Sequence, residues 1–310
     1  MLLYAKDLTV RRVTLRGATG EVGVKHEGRS NGRLLVRSAS PLAPGAYGLD
    51  IEFDNDFDTR ANALYRLQTG GDWYCFTQFE AVAAREAFPC WDEPEFKIPF
   101  QVTVTVPEKD EAVSNTPVET SLVSGGHRTF TFKRTPPLPS YLLAIAAGPL
   151  EFVPIKGMSI PGRVVTVKGA SRLATEAARL APPIIAALEK YFGRQYPYAK
   201  LDLLAVPEFD AGAMENAGAV TFRDNILLVD PAMASPGQRY RLISITAHEL
   251  AHMWFGDLVT MAWWDDVWLN ESFASWMGSK VTQQVAPQFE TPVRDLSGTQ
   301  RAMQTDARLS

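Results

Sequence analysis

This sequence has few cysteines, few histidines and a small net charge. Two cysteines, Cys75 and Cys90, are too few for a disulfide framework and are compatible with a reducing compartment. The 31 basic and 35 acidic residues leave a formal net charge of −4, and these charges are spread along the chain. This balance argues against nucleic acid or an anionic membrane as the main partner.

Long hydrophobic runs and low-complexity tracts are also missing. The best apolar run, residues 141–147, is far shorter than the roughly 20 residues of a membrane-spanning helix. Residues 1–15 lack the apolar core of a signal peptide and have the pattern of a strand. We therefore expect no membrane span and a cytoplasmic location. A secreted or periplasmic location stays open, because the sequence starts as if inside a domain.

Apolar and polar residues alternate through the first half of the chain. The pattern is clearest in residues 47–53, 100–106 and 129–132, and glycine-rich turn sequences separate these runs. Many short strands joined by polar turns are typical of antiparallel sheets packed as a sandwich or saddle. The sequence therefore predicts an N-terminal β domain over residues 1–155.

The segment 76–100 interrupts this alternation with many aromatic and acidic residues. Its plain interpretation is a packed connection with a solvated acidic rim, since exposed acids are usually just surface. Cys90 fits a small buried hydrophobe better than a reactive thiol. Gln78 and Glu80 are two residues apart, so on an extended segment both side chains point the same way and suit joint contact with a ligand.

The period changes in the second half, residues 156–310, where short apolar strands alternate with helical patterns. Ser171 can cap one helix, Pro236 can begin a second, and Gly256 can end that second helix. Asn270 can cap a third helix. A small sheet with helices predicts an α+β domain. We therefore expect a protein of two domains.

The most informative stretch contains His248, Glu249 and His252, the pattern His-Glu-x-x-His. Two histidines four residues apart lie on one face of a helix. Glu271 follows His252 after eighteen residues, in the first turn of the next predicted helix. Two imidazoles and a carboxylate leave a fourth tetrahedral position for water, which is typical of a catalytic zinc site. Glu249 stands outside the ligand row and can deprotonate that water.

Each of these features also has an ordinary structural explanation. His-Glu-x-x-His occurs by chance, and a helical histidine pair is often surface or core, but the placing of Glu271 favours zinc. The nearby tryptophans are more typical of core than of a ligand cage: Trp254, Trp263, Trp264 and Trp268. Three aspartates can hold the second ring nitrogen of a zinc-bound histidine, or can be solvated loop acids: Asp257, Asp265 and Asp266.

Several motifs in order resemble the M1 family of zinc aminopeptidases, the gluzincins. TQFEA and AFPCWDEP lie in the segment 76–100, GAMEN occupies 212–216, HELAH occupies 248–252, and WLNES surrounds Glu271. The resemblance covers nearly the whole chain. It implies a multi-domain protein with an N-terminal antiparallel β saddle or sandwich, followed by a thermolysin-like α+β catalytic domain that is incomplete here.

The resemblance also implies roles for individual residues. One zinc ion per chain would bind His248, His252 and Glu271, with Glu249 as the general base. The substrate-binding residues would be Gln78, Glu80, Gly212, Ala213, Met214, Glu215 and Asn216.

Within that set, Glu80 and Glu215 would bind the free α-ammonium group of the substrate, and Gln78 would line the same pocket. The main chain of Gly212 and Ala213 would lie along the scissile peptide. Two carboxylates at a closed end provide charge-assisted hydrogen bonds to an ammonium group and set its distance from zinc. The expected partners are peptides with a free N-terminus. We expect a monomer, and an oligomer stays open.

The sequence departs from the family in its extent. The family's oxyanion-stabilising tyrosine lies downstream of the third ligand, and we expect it, with a large helical domain, beyond residue 310. The first saddle strands are also expected to be missing. The sequence is therefore interpreted as a fragment that binds zinc weakly and turns over slowly by itself. Met253 stands where many members have glutamine, and Asp257 where many have asparagine.

Three other functions were weighed. A bifunctional epoxide hydrolase and aminopeptidase of the same family stays open, since its pocket depends partly on the absent half. A non-catalytic scaffold of this fold is disfavoured because the ligands, the base and GAMEN are all intact. A thermolysin-like endopeptidase is disfavoured because Glu80 and Glu215 would reject internal peptides.

Overall fold

The structure is a computed structural model that describes residues 1–309. The strands of the first half are β1 (Leu2–Tyr4), β2 (Thr9–Gly17), β3 (Gly20–Val22), β4 (Val24–Arg29), β5 (Arg33–Ser38), β6 (Gly48–Asp54), β7 (Ala63–Thr69), β8 (Asp72–Gln78), β9 (Ile98–Pro99), β10 (Thr103–Pro107), β11 (Glu111–Ser114), β12 (Val118–Ser124), β13 (His127–Phe132), β14 (Pro137–Leu138) and β15 (Ile145–Gly148).

These strands form antiparallel sheets, as the alternating sequence predicts. Their orders are β1-β5-β4, β3-β2-β6, β10-β13-β12, β14-β9 and β11-β15-β8-β7. In β6 exposed and half-buried positions alternate along the strand, because one face packs inward and the other faces water. The sheet β11-β15-β8-β7 leads into the segment containing Glu80, which follows directly from its strand β8.

The second half is an α+β region, which confirms the predicted change of fold class. Its elements are β16 (Leu150–Ile155), β17 (Gly162–Val167), β18 (Leu201–Val206), β19 (Ala213–Met214), β20 (Ala219–Arg223), α1 (Thr175–Phe192), α2 (Asp224–Leu227), α3 (Pro236–His252), α4 (Val267–Val285) and α5 (Thr291–Leu309). The strands make one mixed sheet in the order β16-β17-β18-β20-β19, in which β17, β18 and β20 run parallel. Every residue of the central strand β18 is buried, as expected between covered faces.

One large hydrophobic cluster holds both halves together. It includes Tyr65 and Phe76 of the N-terminal sheet, Leu203 of the mixed sheet, Leu250 of α3 and Met277 of α4. The first half therefore packs directly onto the helices of the second, and the predicted division at residue 155 stays a prediction. Across residues 1–309, no helix is both long and apolar enough to cross a membrane.

Three predicted helix ends are wrong. Ser171 lies in a short 3-10 turn, and α1 begins at Thr175 with no side chain capping it. Helix α3 ends at His252, four residues before Gly256, because the chain turns at once into the loop behind the second histidine. Asn270 is buried inside α4, because the 3-10 turn Trp264–Asp266 leads directly into that helix.

Candidate metal centre and substrate site

The nitrogen and oxygen atoms of His248, His252 and Glu271 form a tight triangle. The Nε2 atoms of the two histidines are 3.1 Å apart. Glu271 lies 3.3 Å from His248 Nε2 through Oε2, and 3.5 Å from His252 Nε2 through Oε1. A tetrahedral ion bonded at about 2.0–2.1 Å would place neighbouring ligand atoms about 3.3–3.4 Å apart. The three donors therefore fit a zinc ion in type, number and spacing.

The sequence places the two histidines by an ordinary helix start. Ser235 caps α3 by accepting from Gln238 N, while Gln238 Oε1 accepts from Ser235 N, and Pro236 takes the first helical position. The helix then runs to His252, so both imidazoles lie on its last turns, one above the other. Their common direction follows from the four-residue spacing.

The third donor depends on how closely α3 and α4 approach. They touch at Gly278 of α4, where a Cβ atom would come within 3.1 Å of the main-chain nitrogen of His248. There is almost no room for a side chain at position 278, so glycine lets the backbones of α3 and α4 come into contact. Glu271 lies two turns earlier on the same face of α4 and thereby reaches the histidine pair.

The ring surroundings of the two histidines differ. His248 Nδ1 lies 3.4 Å from Ser275 Oγ. His252 is buried, and burial, followed by the neighbouring His248, lowers its pKa to about 3, so its ring is neutral and able to bind a metal. Within residues 1–309 no hydrogen bond joins either ring to Asp257, whose carboxylate oxygens are buried without partners.

The other two aspartates proposed as ring partners, Asp265 and Asp266, lie in the 3-10 turn before α4. Neither makes a hydrogen bond to the histidine rings in the described part of the chain. Of the two explanations offered for these aspartates, the geometry favours solvated loop acids over ring partners.

Glu249 lies beside the ligand triangle but outside it. Its side chain is buried, and one carboxylate oxygen has no hydrogen-bond partner among the described residues. One oxygen of Glu249 lies within 4.8 Å of donor atoms of both His252 and Glu215. Burial, followed by the charges of Glu215 and Glu271, raises the pKa of Glu249 well above its usual value. Glu249 is therefore a stronger base than an ordinary carboxylate.

Glu271 also belongs to a cluster of three glutamates beside the donor triangle. Oxygen atoms of Glu80, Glu215 and Glu271 all lie within 4.8 Å of one another, although the first two are 135 residues apart in sequence. Burial, then Glu215 and Glu271, raises the pKa of Glu80 to about 8. Burial and Glu271 raise that of Glu215 to about 7. Carboxylates this close repel one another, so the pair is well suited to a cationic ligand.

Gln78 lies at the end of β8, two residues before Glu80, so the strand stops where the acidic segment begins. Its Nε2 atom is 3.7 Å from the sulfur of Met214, and its Oε1 atom is buried without a partner in the described chain. The N-terminal half therefore contacts the GAMEN segment directly. Asn216 is also buried, and its Oδ1 accepts from the hydroxyl of Thr221.

The GAMEN segment enters the mixed sheet as its edge strand. Strand β19 pairs with β20 on one side only, with Ala213 opposite Phe222, and the main-chain oxygen of Gly212 accepts from Arg223 N. A cavity of about 350 Å³ opens against this edge, lined by Gly212, Ala213, Ser244, Ile245, His248, Glu249, Ser275 and Ser279. An extended peptide can add to such an edge as a further strand.

Three residues of this region were not singled out from the sequence. Asn115 and Lys97 make hydrogen bonds to segments next to the site: Asn115 to Ala217 O and Lys97 to Asp257 O. Tyr141 is buried, and burial, followed by the charge of Glu215, raises the pKa of its hydroxyl well above the usual value. Each comes from the N-terminal half, and no local pattern marks any of them.

Comparison with known proteins gives the class of this chain. Residues 1–142 match the Peptidase M1 N-terminal domain, and residues 176–310 match the Peptidase family M1 domain. The chain therefore belongs to peptidase family M1, and the resemblance noted from its motifs is confirmed.

Individual relatives agree with this assignment. Aminopeptidase N of Acetobacter pasteurianus is 44% identical over 246 residues, which is 79% of this chain and 66% of that protein. The puromycin-sensitive aminopeptidase of Caenorhabditis elegans is 37% identical over 299 residues, 93% of this chain and 32% of the relative. Aminopeptidase M1-D of Oryza sativa subsp. japonica is 35% identical over 317 residues, 99% of this chain. The chain spans 36% of that rice protein's length, so it corresponds to about a third of the rice and nematode relatives.

Proposed function

We propose that this chain carries the active site of a zinc-dependent aminopeptidase that removes the N-terminal residue of peptides. One observation carries the proposal: the carboxylates of Glu80 and Glu215 meet beside Glu271, at the edge of the donor triangle. A free N-terminus is a cation, and paired buried carboxylates suit it through charge-assisted hydrogen bonds. An endopeptidase would gain nothing from this pair.

The metal ligands in this proposal are His248, His252 and Glu271. Zinc bound there supplies Lewis acidity, which polarises a carbonyl group and makes a water molecule more acidic. The three side chains would hold the zinc ion a few ångströms from the paired carboxylates of Glu80 and Glu215. The ammonium site therefore sets which peptide bond is cleaved, namely the first one.

Glu249 moves the proton in this proposal. Its buried carboxylate takes a proton from the attacking water and then delivers it to the nitrogen of the departing peptide. The raised pKa of Glu249 supports this role, because a stronger base accepts the proton more readily and can keep it until the leaving group needs it.

The free edge of β19 orients the substrate main chain. Ala213 and Gly212 border the cavity next to His248, so a peptide lying along them would present its first carbonyl towards the donor triangle. Gln78, two residues before Glu80, contacts Met214, the residue before Glu215, and would lie beside the bound ammonium group.

The proposal is tested by cleavage of one peptide and its N-acetylated twin with the full-length, zinc-loaded protein. Acetylation removes the positive charge and leaves two buried carboxylates unpaired, so we expect kcat/KM to fall by roughly 10³-fold or more. In a Glu80→Gln variant, the ratio of kcat/KM for the free peptide to kcat/KM for the acetylated peptide should shrink markedly. Equal rates for the two peptides would refute amine recognition by Glu80 and Glu215.

A further inference from the structure

Asn115 is a buried amide that links two distant parts of the chain. It directly follows β11 and is only 3% exposed. Its Oδ1 accepts from Ala144 N at 2.8 Å, and its Nδ2 donates to Leu142 O at 2.8 Å and to Ala217 O at 2.9 Å. The amide thus binds its own half of the chain through two residues and the GAMEN region through a third.

The far end of this link is the residue pair that follows GAMEN. Gly218, next to Ala217, has a φ of +73°, and a Cβ atom there would lie 2.6 Å from the main-chain oxygen of Asn115. Its own carbonyl accepts from Lys200 Nζ at 2.8 Å and from Asp202 N at 3.1 Å. The end of the GAMEN segment is therefore pressed against Asn115 and fixed from both sides.

The near end of the link is the sheet that leads to Glu80. Strand β11 pairs with β15, and β15 pairs with β8, from whose end the segment with Glu80 continues. Between these last two strands, Thr77 Oγ1 also accepts from Ile145 N at 2.9 Å. Asn115 and Glu80 thus extend from one hydrogen-bonded sheet, whereas Glu215 belongs to the segment that Asn115 contacts.

We propose that Asn115 is a positioning residue that sets the separation of Glu80 and Glu215 and so tunes binding of the substrate's ammonium group. The inference rests on the proposed function and deepens it. Two carboxylates from separate segments bind one ammonium group well only if their separation is fixed. The side-chain hydrogen bond from Asn115 to Ala217 O joins those segments two residues from Glu215.

The test uses two competitive inhibitors of the full-length, zinc-loaded protein. One is 3-methylbutylamine, which has an ammonium group and no strong metal-binding group. The other is acetohydroxamate, which binds metal and has no ammonium group. In Asn115→Ala we expect the Ki of the amine to rise by about tenfold or more, because a buried hydrogen bond between the segments is lost. The Ki of acetohydroxamate and the zinc content should stay as in the wild type.

Ser114→Ala is the matched control. Ser114 is the neighbouring residue, is also buried, and donates its side-chain hydrogen bond to Ala144 O. The variant therefore loses one hydrogen bond that does not involve the GAMEN region. Both Ki values should be unchanged in this variant. Gly218→Ala approaches the same contact from the other segment and should repeat the effect of Asn115→Ala, which keeps the test informative if Asn115→Ala does not fold.

Two results would overturn the inference by itself: an unchanged amine Ki in both Asn115→Ala and Gly218→Ala, or an equal weakening of both inhibitors. A different result would refute the proposed function. In that case wild-type protein would bind acetohydroxamate but would not bind 3-methylbutylamine, and it would cleave acetylated peptides as fast as free ones.

Discussion

Lys97 Nζ donates a 2.8 Å hydrogen bond to the main-chain oxygen of Asp257, 160 residues further along the chain. The same ammonium group donates to Leu258 O at 3.1 Å and to Thr260 Oγ1 at 2.9 Å. These acceptors form the loop behind α3, which ends at His252. One lysine of the N-terminal half therefore holds the loop that follows the second histidine.

Replacing Lys97 by methionine should destabilise the protein. The apolar stem keeps its volume, but three acceptors lose a charged donor, so the free energy of unfolding should fall by roughly 2–4 kcal/mol. Urea unfolding measures the change. Lys168→Met is the control, because Lys168 is mostly exposed and 3.4 Å from Asp72, and should have little effect. Equal losses in the two variants would contradict the assigned role of Lys97.

Metal content should depend on His248 and not on histidine in general. Metal analysis of the full-length protein should give one zinc per chain, and His248→Ala should lose it because two ligands bind zinc far less tightly than three. His127→Ala should keep its zinc, since His127 is exposed and its ring nitrogen Nδ1 lies 3.0 Å from Gly125 O, far along the chain from the donor triangle. Retention of a full equivalent of zinc by His248→Ala would rule out the assigned ligand set.

Glu249→Gln separates proton transfer from metal binding. The amide keeps the size of the side chain but cannot accept a proton, so kcat/KM should fall by roughly 10²–10⁴-fold. The zinc content should match that of the wild type, since Glu249 is not one of the three proposed ligands. A variant with full zinc and near-normal activity would show that another group serves as the base.

Because of the buried ion pairs of Asp202, the free energy of unfolding should depend on pH. Its carboxylate accepts from Arg163 Nε at 2.8 Å and from Lys200 Nζ at 2.7 Å. Burial raises the pKa of Asp202, but Lys200 and Arg163 outweigh it and hold that pKa below the usual 3.8. The stabilisation from this lowered pKa is therefore present above about pH 4 and is lost as the pH falls through the folded-state value.

Asp202→Asn tests that argument by urea unfolding with EDTA present. At pH 7 the variant should be less stable by about 3–5 kcal/mol, because Lys200 is left buried and unpaired. The difference from wild type should shrink below about pH 4, where the wild-type carboxylate takes up its own proton. A difference that is constant from pH 7 to pH 3 would argue against ionic pairing at Asp202.

Sequence reasoning succeeded where the local structure depends on residue spacing. The positions of His248 and His252 follow from the helical period alone, and the alternating strands follow from the two-residue period. Helix ends were less predictable: Asn270 has the side chain of a cap, yet it is buried within α4 because the preceding turn already continues the helix. Short turns that merge with a helix leave no distinct sequence signal.

Contacts between distant segments were beyond reach of the sequence. Asn115 reaches Ala217 across 102 residues, and nothing distinguishes it beforehand from an asparagine that bonds water in a turn. Lys97 likewise has the sequence context of a surface lysine. The meeting of Glu80 and Glu215 was expected only through resemblance to a family, because spacing gives no information on two acids from different domains.

The hydrophobic cluster that joins both halves has a consequence for the segments that carry Glu80 and Glu215. Glu80 extends from one half and Glu215 from the other, yet Phe76 and Leu250 belong to the same continuous core. Swinging the halves apart would expose that core to water, at a cost comparable to unfolding. The segments that carry Glu80 and Glu215 are therefore anchored in one continuous core, and they cannot separate without exposing it.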